Sequence, residues 1–96
     1  MLVVRFNAEA AAEGLQKLVD AFGLNAARRA PAAVVVDAIQ SIFDALGTAK
    51  RLRDIGVTRE SLPHLAAISM EDWFVRDNPR RVRDAGELEQ VLECAW

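Results

Sequence analysis

Few side chains in this chain could do chemistry, and they do not form a recognisable set. His64 is the only histidine, and no cysteine lies three or four positions away from it on its predicted helix. A metal site on a helix needs ligands that repeat at such spacings. The acidic residues Glu60 and Glu71 do not complete a metal-binding face with it. We therefore expect His64 to face solvent or to pack against another helix.

Two further candidates carry weaker signals. Glu71 and Asp72 are adjacent carboxylates, but neighbouring helical residues point about 100° apart, so they do not face each other. They are predicted to form a solvated helix end. Cys94 is the only cysteine; no base is evident beside it, and we expect it to pack as a small hydrophobe. No residue of this chain is therefore predicted to be catalytic, to bind a cofactor or to bind a metal.

Two aromatic residues near the end of the chain, Trp73 and Phe74, are followed by a basic cluster. The cluster comprises Arg76, Arg80, Arg81 and Arg83. Phosphate or single-strand binding with aromatic stacking would use such residues. The formal net charge of −2 and the pI near 5.3 oppose a nucleic-acid or membrane-surface role. The arginines are expected to pair with Asp77, Asp84 or another domain.

The composition indicates a single helical domain over residues 1–96. The hydrophobic fraction is 52% and only 6% is aromatic, so alanine, leucine and valine supply the excess, which favours helices. One cysteine permits no internal disulfide and fits a reducing compartment, so we expect a cytoplasmic protein. The start of the chain does not read as a signal peptide, and no apolar run reaches the roughly 20 residues of a membrane span.

Periodicity predicts two helices in the first half. Asn7 is expected to cap the first, and Gly23 to end it. Its inward face comprises Ala11, Leu15, Leu18, Val19 and Phe22. The second helix begins near Pro31 and ends at Gly47. Its apolar stripe comprises Val35, Ala38, Ile39, Ile42, Phe43 and Leu46. Residues 1–6 could be extended or the start of a helix.

The second half predicts two more helices after a connector in which Gly56 supplies an unusual backbone angle. Thr58 or Ser61 can cap the third, which places Leu62, Leu65, Ala66, Ser69 and Trp73 on one face. Residues 74–83 are expected to form a charged loop. Asp84 and Glu87 then open the last helix as a capping-box variant, with Leu88, Val91, Leu92 and Ala95 inward. Together these elements predict an all-α bundle of about four helices.

An ordered set of short motifs resembles the C-terminal helical domain of the iron-containing alcohol dehydrogenase family, which includes the maleylacetate reductases. The motifs are Val4–Ala8, Phe22-Gly23, Leu46-Gly47, Leu52–Val57, Ser61–Ala66, Asn78-Pro79-Arg80, Asp84–Glu87 and Ala95-Trp96. Each motif is weak alone, but their order and spacing match over nearly the whole chain. The resemblance implies the C-terminal part of a dehydroquinate-synthase-like or iron-containing alcohol dehydrogenase fold.

The resemblance also implies what this chain does not carry. The family binds NAD(P) through a Gly-rich loop in its N-terminal domain, and holds iron or zinc with an aspartate and three histidines upstream of the segment matched by Val4–Ala8. None of these residues can be carried over to this sequence. We therefore expect a fragment-like helical segment of an enzyme that interconverts alcohols and carbonyl compounds. It would pack against the metal and substrate cleft and be inactive alone.

Three interpretations of the sequence remain, and each implies a different kind of partner. As part of a dehydrogenase, the chain would bind the missing N-terminal dinucleotide-binding domain. As a standalone module, it would bind another protein or itself, burying Met1–Phe6 and part of a helix stripe. The third reading, a nucleic-acid binder using the loop Arg76–Arg83, is disfavoured by the acidic net charge.

Overall fold

The computed structural model describes all 96 residues and contains helices without strands, which confirms the all-α class. Two short 3₁₀ turns, Leu52–Ile55 and Arg59–Ser61, accompany six α-helices. The helices are α1 (Leu2–Phe6), α2 (Ala12–Ala21), α3 (Pro31–Ala45), α4 (Leu62–Ser69), α5 (Trp73–Arg76) and α6 (Ala85–Ala95). None of them is long and apolar enough to cross a membrane. The chain divides into two compact units, Met1–Thr48 and Ala49–Trp96. The single domain expected from the sequence stays a prediction.

The first unit is built around α3, which packs against both α2 and α1. Its core comprises Leu15 and Val19 from α2 and Val34 and Val35 from α3. Leu15 and Val19 are four residues apart, so they lie on one face of their helix. Val35 is fully buried, and Ile39, one turn further along α3, packs against the edge of this core.

The start of α2 differs from the sequence-based prediction. Asn7 does not cap this helix: it ends α1 and is itself buried, with 8% of its surface exposed. The chain between the helices turns, and the backbone N–H of Ala11 donates to the carbonyl oxygen of Asn7 at 2.8 Å. The prediction was wrong because the first residues already form a helix, so Asn7 lies at its C-terminal end.

Both ends of α3 lie where the sequence predicted them, but its apolar stripe is less buried than predicted. Pro31 occupies the first turn, and Gly47 follows the helix with φ +65°, a conformation that side chains with a Cβ rarely adopt. Beyond Ile39, however, every residue of α3 except Gln40 is exposed. Ile42 is 56% and Leu46 69% exposed. The predicted inward stripe is therefore buried only in its first half.

The second unit contains α4 packed against α6. Leu62 and Ala66, four residues apart on α4, are fully buried, as their spacing predicted. Gly56 has φ +86°, which confirms the unusual backbone angle expected there. Neither Thr58 nor Ser61 caps with its side chain. Instead, the Ser61 hydroxyl donates to the Thr58 carbonyl at 2.7 Å across the 3₁₀ turn that precedes α4.

The segment 74–83, predicted to be a charged loop, begins with the last three residues of the four-residue helix α5. Asp72 caps it, since its carboxylate accepts from the backbone N–H of Phe74 at 2.9 Å. Trp73, predicted on the buried face of the preceding helix, begins α5 instead and is 58% exposed. The last helix begins as predicted: the Asp84 carboxylate accepts from the Glu87 N–H at 2.8 Å.

Candidate functional site

The residues that could have bound a metal do not come together. His64 lies exposed on α4. No group of three or more histidine, cysteine, aspartate or glutamate side chains is arranged to hold a metal ion. The donor set of this chain therefore does not fit iron or zinc. The prediction that the chain carries no metal ligand stays a prediction.

The two weaker catalytic candidates, the Glu71–Asp72 pair and Cys94, lie at helix ends. Glu71 and Asp72 are both exposed at a helix boundary, as predicted, and Asp72 is occupied as the cap of α5. Cys94 is exposed, which contradicts its expected packing as a small hydrophobe. It lies in the last turn of α6, where its backbone carbonyl accepts from Nη1 of Arg51 at 3.2 Å.

Glu87 organises half of the basic cluster. Its carboxylate accepts from Nη2 of Arg80 at 2.9 Å and from the backbone N–H of Arg83 at 2.8 Å, and it lies 3.2 Å from Nε of Arg83. Only 7% of its surface is exposed. The hydrogen bond from the Arg83 backbone lowers the pKa of Glu87, and both guanidinium groups act in the same direction, whereas desolvation opposes them. Arg80 and Arg83 are therefore both ion-paired with Glu87.

The sequence predicted that these arginines pair with Asp77, Asp84 or another domain. The acid that Arg80 and Arg83 both contact is Glu87, which the prediction did not name. The capping signal Asp84-x-x-Glu87 marked this glutamate, but only as part of a helix start. In a full capping box its carboxylate would return to the N–H of the cap residue. Here it accepts the N–H one residue earlier, so it pins the loop that precedes α6.

Trp96 packs within its own unit. Its indole N–H donates to the carbonyl of Val57 at 2.9 Å. The guanidinium carbons of Arg53 and Arg59 lie 5.6 and 5.5 Å from the ring centroid, within range of cation–π attraction. Arg59 also makes a two-pronged ion pair with Glu93, with contacts of 2.6–3.1 Å.

The Arg59–Glu93 pair shifts both partners toward their charged forms. The hydrogen bonds raise the pKa of Arg59 and lower that of Glu93. Sequence reasoning missed this pair because 34 residues separate the partners. The pair and the indole together tie the end of α6 to the segment between Arg51 and Arg59, which is a structural arrangement and not a reactive one.

Apolar side chains, in contrast, are exposed in both units. In the second unit, Trp73 and Phe74 are 58% and 68% exposed, with ring centroids 4.0 Å apart and planes tilted by 30°. In the first unit, Phe43 (40% exposed) joins Ile42 and Leu46 along the second half of α3. Large apolar side chains grouped on a surface commonly mark contacts with another protein. What this arrangement offers is therefore apolar contact area.

Comparisons with known proteins agree with the family resemblance seen in the sequence motifs. The chain belongs to the Fe-containing alcohol dehydrogenase family, whose C-terminal sequence profile matches residues 2–96. It is 30% identical over 104 residues to the lactaldehyde reductases of Escherichia coli strains K12 and O157:H7. Each alignment covers 98% of this chain and 25% of the relative, so the chain spans about a quarter of the relatives' length. No solved structure matches it significantly.

Proposed function

We propose that this chain serves as the C-terminal helical segment of an NAD(P)-dependent, iron-containing alcohol dehydrogenase-like oxidoreductase. In this role it packs beside the metal and substrate cleft and gives that cleft part of its shape, without contributing a reacting group. The reaction class is the interconversion of an alcohol and a carbonyl compound. The single cysteine fits a reducing compartment, so the proposed location is the cytoplasm.

The observation that carries the proposal is the family match over residues 2–96. The relatives that align with almost the whole chain are reductases by name, and the aligned part is a quarter of each. The donor set does not fit a metal ion, so in the proposed enzyme iron and nicotinamide cofactor are held by residues outside positions 1–96. Exposed apolar side chains in both units support a packing role.

A chimera tests the proposal directly. The C-terminal quarter of the K12 lactaldehyde reductase is replaced by residues 2–96, and the product is compared with the intact reductase and with a reductase that lacks that quarter. We expect the chimera to be recovered soluble, to retain iron and to reduce lactaldehyde with NADH or NADPH, whereas the shortened reductase does not. A chimera no better than the shortened reductase in all three measurements would refute the proposal.

A second candidate function is a standalone module that binds another protein or itself. The observation that favours it is the uncovered apolar surface of α3. Sedimentation of the isolated chain at rising concentration separates the two functions. A dimer whose formation is weakened by Ile42→Lys or Leu46→Lys would support self-association. A monomer at all concentrations would contradict self-association.

A further inference from the structure

We draw no further inference here: the strongest candidate, the surface patch formed by the exposed rings of Trp73 and Phe74 on α5, is an unpartnered apolar surface, and nothing in the structure shows what covers it.

Discussion

Replacing Leu62 by alanine tests whether the buried face of α4 holds the second unit together. Leu62 opens α4, the helix that packs against α6, and its side chain is fully buried. The substitution removes three carbons, which at about 0.8 kcal/mol each amounts to roughly 2.4 kcal/mol of lost burial. The cavity left behind raises the expected loss to about 3–4 kcal/mol of unfolding free energy.

The matched control is the same substitution at Leu46. This side chain is 69% exposed, so only about a third of the burial free energy, roughly 0.7 kcal/mol, can be lost. Leu62→Ala removes a large share of the roughly 5–15 kcal/mol that stabilises a typical domain, whereas Leu46→Ala does not. The two variants make the same substitution, one at a fully buried side chain and the other at a largely exposed one.

Urea unfolding followed by far-UV circular dichroism measures both variants. With a typical slope of about 1–3 kcal/mol per molar urea, Leu62→Ala should lower the midpoint by about 1–4 M and Leu46→Ala by less than about 0.7 M. Equal shifts would refute the burial described for α4 and α3. If Leu62→Ala does not fold, Leu62→Val should still lose about 1 kcal/mol.

Three further predictions concern the second unit and one helix of the first. Trp96→Phe keeps a ring but removes the indole donor, so urea unfolding should show a loss of about 1 kcal/mol. The hydrogen bond from Arg83 lowers the pKa of Glu87, so its contribution is present above about pH 4.3 and is lost as pH falls through the lower folded-state pKa. Glu87→Gln should flatten that acid-side decline in thermal midpoint, and an unchanged decline would contradict the contacts described. Gly14→Ala, in a helix with open space around it, should stabilise by about 0.5–1 kcal/mol, whereas Gly56→Ala, at φ +86°, should lower the thermal midpoint.

Local signals in the sequence determined several helix boundaries. Pro31 fixes the start of α3 because its ring sets the backbone angle of a first helical turn, and Gly47 ends that helix because glycine tolerates positive φ. Asp84 opens α6 with the predicted capping bond. These boundaries depend on residues within one turn of each other, so they can be read without knowing the tertiary structure. Asn7 was misread because whether it ends or begins a helix depends on the residues before it.

The sequence also identified the family. Each motif is short and weak alone, but the order of the motifs matches that of the family over nearly the whole chain. Tertiary structure alone decided which apolar faces are covered. Periodicity places Val35 and Ile42 on the same stripe, yet only Val35 is buried, because burial requires a neighbouring element that periodicity cannot name. The same holds for contacts between distant positions, such as the Arg59–Glu93 pair, since only packing brings such residues together.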